Sequence, residues 1–210
     1  MALVRNPRFA RWFAKYGARN EARGNARLRA ELLDGLTGTV VEVGAGTGLN
    51  FRHYPGSVGA VTAVEPEPSM RAFAERAASE VSAPIQVVDG MAQALPLDDA
   101  SVDAVVVSAV LCSVADPREV LAEFRRVLRP GGELRFYEHV LAPGLVRRWA
   151  QRAAAPLWAR LMGGCRTDRD TLATLRTCGF EVVRWREFVF PPGARFSLVG
   201  PRIHGVAVPR

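Results

Sequence analysis

The run Val40-Val41-Glu42-Val43-Gly44-Ala45-Gly46-Thr47-Gly48 constrains the fold of this chain more than any other. A short valine-rich strand carrying one acid runs straight into three glycines at every second position. Glycine reaches positive φ at no steric cost and has no side chain, so such a turn lets the backbone approach a ligand closely. In open α/β sheets ligands bind at the carboxyl ends of the strands, where a turn of this kind opens a helix. A second apolar strand, Val58–Val64, ends about seventeen residues after the turn, in Glu65. An acid there can accept both ribose hydroxyls of a nucleoside. A dinucleotide fingerprint, G-x-G-x-x-G, needs its third glycine at position 49, which is Leu49. That departure argues against a nicotinamide oxidoreductase.

The pattern around the motif predicts an α/β fold: a doubly wound, mostly parallel sheet, Rossmann-like, with an N-terminal helical cap. Strands are predicted at Thr39–Val43, Val58–Val64, Ile85–Val88, Val102–Ser108 and Leu134–Tyr137, all short, apolar and rich in β-branched residues. Helices are predicted over Ser69–Val81 and Pro117–Leu128, the latter with Asp116 as N-cap and Pro117 at its first position. Pro130-Gly131-Gly132 is expected to end that helix and turn into the next strand. Phe9, Trp12, Phe13 and Tyr16 fall on one helical face, with Arg5, Arg8, Arg11, Lys15 and Arg19 on the others. Residues 1–36 are read as this basic amphipathic cap and residues 37–210 as the main domain, one globular unit overall.

Composition narrows the classes. Residues 1–29 hold eight basic side chains and one acid, residues 30–145 eight and sixteen, and residues 146–210 twelve and four. An acidic middle between two basic ends is not the stripe of a nucleic-acid binder, and no nucleic acid is expected as partner. No apolar run approaches the ~20 residues of a membrane span. With charges throughout residues 1–30 and no signal peptide expected, the reading is cytoplasmic. The three cysteines, Cys112, Cys165 and Cys178, form no CxxC pair, and His53, His139 and His204 are scattered. No metal is expected.

The spacing Gly44-x-Gly46-x-Gly48 after Glu42, with Glu65 at the next strand end, resembles the S-adenosylmethionine (SAM) motif of class I methyltransferases. Gly90-Met91-Ala92 with Leu95-Pro96, and Arg126-Val127-Leu128-Arg129-Pro130-Gly131-Gly132, agree with that family. Gly46–Phe51 with Tyr54-Pro55, Val110-Leu111-Cys112-Ser113-Val114, Glu138-His139-Val140, Gly163-Gly164-Cys165 with Arg169, and Pro201-Arg202-Ile203-His204-Gly205 resemble more closely the animal methyltransferase-like thiol methyltransferases and their bacterial relatives. The resemblance spans roughly residues 37–208. It implies SAM as cofactor, S-adenosylhomocysteine as product, and a cofactor site of Glu42, Gly44, Ala45, Gly46, Gly48, Asn50, Glu65, Pro66, Met70, Gly90, Met91, Ala92 and Ser108. The animal enzymes carry an apolar N-terminal anchor. This chain has only the basic amphipathic segment, which leaves peripheral membrane contact through that helix as one reading.

The implied reaction is transfer of the SAM methyl to a small lipophilic acceptor, a thiol in the first reading. The alternatives are O-, N- or C-methylation of a secondary metabolite, a quinone-like compound or a phospholipid headgroup, and a non-catalytic polyanion-binding protein. A free thiol titrates near ~8.5, so a base beside it helps. His139, just past the fifth strand, is the candidate, with His204 second and Glu138 as its orienting neighbour. Cys112 reads as an apolar wall. Phe9, Trp12, Phe13, Tyr16, Leu111 and Trp158 are the candidate acceptor contacts. Residues 143–169, with Trp149, Leu157, Leu161 and Met162, are read as a lid packed on the sheet.

Overall fold

The computed structural model describes residues 6–194 and 196–210. Arg5, assigned to the basic face of the first helix, lies outside them. The chain enters through α1 (Pro7–Asn20) and α2 (Ala26–Leu33), joined by a kink at Gly24. There follow β1 (Gly38–Val43), β2 (Val58–Val64), α3 (Pro68–Ser79), β3 (Ile85–Val88), β4 (Val102–Ser108), α4 (Pro117–Val127), β5 (Leu128–His139), α5 (Leu145–Leu161), α6 (Thr171–Thr177), β6 (Phe180–Val189) and β7 (Pro201–Pro209).

These strands make one seven-stranded sheet in the order β3-β2-β1-β4-β5-β7-β6. The first five are parallel, and β7 lies antiparallel between β5 and β6. The central strands are continuously apolar because both their faces are covered. Val41, Val43, Val105 and Val107 point to one side, against Val120, Leu121, Phe124 and Val127 of α4 and Leu172 and Leu175 of α6. Val40, Ala104 and Val106 point to the other, against Leu32 and Leu33 of α2 and Ala74 of α3. The period of two along each strand thus feeds two cores.

The predicted strands stand close to where the pattern put them. At the fifth, α4 ends at Val127 and pairing begins at once, with Leu128 opposite Val102, so Pro130-Gly131-Gly132 lies inside a longer β5.

The lid expectation needs correction. Trp149, Leu157 and Leu161 of α5 are 77%, 65% and 61% exposed, as are Leu145 and Val146 nearby. The inward face of α5 is instead Gln151 and Ala155, both fully buried. Gln151 Nε2 donates to the carbonyls of Val140, Thr167 and Leu198, and its Oε1 accepts from the Ala142 N–H at 2.5 Å. The helix turns a polar hub inward because the loops beneath it carry backbone groups that need partners. No helix among the described residues is long and apolar enough to cross a membrane.

Candidate active site

The carboxyl ends of β1, β2, β4 and β5 converge on one edge of the sheet, and the candidate residues gather there. Gly44, Gly46 and Gly48 all adopt positive φ, at 67°, 60° and 77°, which only glycine does freely. The N–H groups of Gly44 and Ala45 donate to the Val64 carbonyl, folding the turn toward β2. Glu65 follows Val64 and is 5% exposed. Its carboxylate accepts from the Gly46 N–H at 2.8 Å and the Glu67 N–H at 2.9 Å. Burial raises its pKa, against the pull of those two N–H groups. Pro66 leads into α3. There Glu67 accepts from the N–H groups of Met70 and Asn6, tying α1 to α3. Sequence reading missed Glu67, although an acid before Pro68 is a visible N-cap signal. Met70 is buried beneath it. Gly90 lies flat against Val64 and Pro96, where a Cβ would come within 2.8 Å and 3.1 Å of their side chains. Met91 bridges to Ala94, and Ala92 packs on the core.

Behind the glycine turn lies a buried polar chain. Glu42 accepts from Tyr54 Oη at 2.7 Å and Asn50 Nδ2 at 2.9 Å. Arg29 donates to Asn50 Oδ1 at 2.7 Å, to Glu21 at 2.9 Å and to Ser108 Oγ at 3.4 Å. Burial lifts the Glu42 pKa to about 7, against the lowering by Tyr54, Arg29 and Asn50. Arg29 is absent from the sequence expectation, because only the fold brings α2 against β1 and β4, and Tyr54 entered it through the resemblance alone, with no role assigned.

At the acceptor side, Glu138 proves to be a structural acid. It is 1% exposed and accepts the N–H groups of Val110, Leu111 and Cys112 at 2.9, 2.9 and 3.0 Å. Burial still holds its pKa well above the usual carboxylate range. Ala109, at φ 60°, starts this turn, and Arg169 closes it from outside by donating to the carbonyls of Leu111, Val114 and Ala115. The Leu111 side chain points into the core, so its part is to shape the turn. Val110 touches the glycine turn: a Cβ on Gly44 would stand 2.6 Å from it.

Glu138 holds Cys112 against two groups far away in sequence. Cys112 Sγ stands 3.6 Å from His139 Nδ1 and 3.6 Å from Cys165 Sγ, and Cys165 Sγ stands 3.6 Å from the same nitrogen. The Cys165 contact, then burial, push the Cys112 thiol up to about 12, while the Cys112 contact holds the Cys165 thiol below its ordinary value. Burial, then Arg202, lower the His139 pKa below its ordinary value. The Trp158 indole N–H is buried beside Cys165 without a good hydrogen-bond acceptor. His204 lies elsewhere. It faces a groove of about 320 Å³ with Arg135, Arg184 and Trp185 on the α2 side of the sheet.

Helix α1 lies over this edge. Phe13 sits 3.8 Å from where a Cβ on Gly46 would be, and Phe9 packs at 2.9 Å on the same construction at Gly163. Phe9, Trp12, Phe13 and Tyr16 form one aromatic row, with Trp12 and Tyr16 stacked at 4.8 Å between ring centres. Trp12 and Tyr16 stay 43% and 42% exposed, so the inward pair is Phe9 and Phe13.

Comparison with known proteins agrees with this geometry. A methyltransferase-domain family model matches residues 41–136. The human protein named thiol S-methyltransferase TMT1B is 38% identical over 188 residues, covering 84% of this chain and 75% of that protein. An uncharacterized methyltransferase of Mycobacterium tuberculosis is 34% identical over 187 residues, covering 85% and 70%. A solved geranyl diphosphate methyltransferase in complex with SAM shares the fold, with a TM-score of 0.69 at 16% identity over 90% of this chain and 85% of that one. The chain therefore belongs to the class I SAM-dependent methyltransferases, in the group that contains the mammalian thiol S-methyltransferases.

Proposed function

We propose that this enzyme transfers the SAM methyl group to the sulfur of a small lipophilic thiol. The observation that carries the reading is the composition of the acceptor edge. Its one carboxylate, Glu138, is spent on three backbone N–H groups. What else gathers at this edge is an imidazole whose pKa burial lowers, two buried sulfurs, an indole and the Phe9–Phe13 pair. Such a wall suits a soft, uncharged acceptor better than an amine, which calls for a free acid.

The residues present fit the cofactor. The turn at Gly44, Gly46 and Gly48 runs at positive φ with its first and third glycines pressed on Val110 and on Ala77 and Phe51, which leaves the Gly46 backbone open toward Phe13, and Thr47 Oγ1 within it is buried without a partner. Glu65 uses one lone pair on each carboxylate oxygen, leaving others for ribose hydroxyls. Pro66, Met70, Gly90, Met91 and Ala92 wall the nucleoside side, while Glu42, Ala45, Asn50 and Ser108 set the floor of the turn. When bound, SAM supplies a methyl carbon already activated on a sulfonium. The protein's work is then to hold donor and acceptor in line and to keep water out. Phe9 and Phe13 exclude water, Trp158 walls the acceptor, and His139 offers a lone pair to its thiol.

Residues 1–36 act in this reading as a cap on the domain formed by 37–210. Trp12 and Tyr16, exposed among Arg8, Arg11 and Lys15, support a peripheral contact of the same helix with an anionic membrane surface. Vesicle sedimentation with and without residues 1–20 tests that contact.

Turnover of labelled SAM against alkyl thiols, catechols, amines and a quinol tests the acceptor. Methylation confined to the thiols supports the reading. Turnover of another class with inert thiols overturns it.

A further inference from the structure

The triangle of Cys112, His139 and Cys165 joins β4, β5 and the turn after α5, and methyl transfer as described above leaves it without a full account. Its three ligand atoms are each 3.6 Å from the other two. For a tetrahedral zinc ion with Zn–S of about 2.3 Å and Zn–N of about 2.1 Å, neighbouring ligand atoms stand roughly 3.8 Å (S to S) and roughly 3.6 Å (S to N) apart. The triangle thus has the dimensions of one face of a zinc tetrahedron. Its chemistry agrees. Two thiolates and an imidazole suit a thiophilic d¹⁰ cation, and two thiolates neutralise a divalent charge in a buried place.

The ligands are also held from behind. Cys112 is fixed by its N–H to Glu138 and by its carbonyl, which accepts from the Arg166 N–H at 2.7 Å. The Cys165 N–H donates to the Met162 carbonyl, and Gly164 lies against the Ser113 carbonyl. A catalytic zinc keeps three protein ligands and one open position. Here the triangle follows β4 and β5 at the edge where Val110 meets the glycine turn, beside the aromatic row of α1.

We propose that Cys112, His139 and Cys165 bind a zinc(II) ion whose fourth ligand is the acceptor thiolate. The inference rests on the thiol reading and deepens it. The His139 lone pair goes to the cation rather than to the acceptor's proton. The two cysteine thiols lose their protons to solvent as the ion binds, and the acceptor thiol loses its own on ligation. Its sulfur then forms the new bond to the methyl carbon while the sulfonium carbon–sulfur bond breaks and leaves its electron pair on the cofactor sulfur. Thiolate and sulfonium become two neutral products, and the thioether, a weaker ligand than a thiolate, departs.

The test uses the full chain, reduced and stripped with a chelator, titrated with Zn²⁺ and separately with Co²⁺. The expected result is about one ion per chain, a tetrahedral Co²⁺ spectrum with sulfur charge-transfer bands, and protection of Cys112 and Cys165, but not Cys178, from alkylation in the zinc-loaded protein. Cys112→Ser, Cys165→Ser and His139→Ala should each weaken binding more than about 100-fold, beyond the loss typical of outer-shell changes, and Cys178→Ser should not. The ion count and the Co²⁺ spectrum need no variant, so they decide the matter if a variant fails to fold. Benzylthiol added to the Co²⁺ protein should shift the visible bands as it takes the fourth position. Thiol methylation at full rate by metal-free protein overturns the inference and leaves the thiol reading standing. A bound ion with no spectral response to benzylthiol overturns the open position. If, in addition, no thiol is methylated, the acceptor assignment falls while the metal site stands.

Discussion

Replacing Glu65 with alanine tests the placement of the nucleoside most directly. Its two oxygens already hold the Gly46 and Glu67 N–H groups at 2.8 Å and 2.9 Å, so the carboxylate is fixed before any ligand arrives. An ionised acceptor in a hydrogen bond contributes about 1.5–3 kcal/mol. Two ribose hydroxyls sharing one buried acid place the combined loss near ~3 kcal/mol, or roughly 150-fold in the dissociation constant at ~1.4 kcal/mol per decade. The same substitution leaves two N–H groups without partners, so some thermal stability is lost as well. Titration calorimetry with S-adenosylhomocysteine separates the two effects, because it reads binding on protein that is still folded at the working temperature. A folded Glu65→Ala variant that binds within about threefold of wild type, less than 1 kcal/mol, refutes the assignment of Glu65 to the ribose.

Glu42→Gln should change how stability depends on pH. The folded protein keeps the Glu42 proton up to about 7, whereas an ordinary glutamate gives it up at 4.5, so the unfolded chain loses it earlier and stability falls as pH rises between the two. The gap amounts to about 3 kcal/mol between roughly pH 4 and 8. The urea stability of wild type relative to Glu42→Gln should decline by up to that amount, and a constant difference across the range contradicts it. Gln151→Leu strips partners from the Ala142 N–H and from the Val140, Thr167 and Leu198 carbonyls. It should cost about 3–5 kcal/mol, read as a lower urea midpoint, and an unchanged midpoint denies Gln151 its role in seating α5. Arg169→Lys removes the fork that holds the Leu111 and Val114 carbonyls. With the turn carrying Cys112 loosened, kcat should drop about tenfold, roughly 1.4 kcal/mol, while the SAM KM stays put. Equal kcat values would remove Arg169 as a positioning residue.

What could be read from the sequence follows from range. Runs such as Val40–Val43 and Val102–Val107 announce buried parallel strands because both faces need apolar side chains, and that demand is local. The glycine turn and Glu65 are equally local, since a positive-φ turn and an acid at a strand end each occupy a few consecutive positions. Asp116 and Pro117 marked the start of α4 for the same reason. Other features exist only once distant segments meet. Glu138 reads as the neighbour that orients His139 until β5 brings it under the N–H groups of residues 110–112. The apolar side chains of α5 suggested an inward-facing lid, yet the loops around it demanded Gln151 at the buried face, and Trp149, Leu157 and Leu161 turned outward. The triangle has no spacing signature at all: Cys112 lies 27 residues from His139 and 53 from Cys165. Local chemistry determined the sheet and the cofactor turn. The acceptor side, made of three segments that share no pattern, was decided only by how the sheet edge, α1 and the turn after α5 pack together.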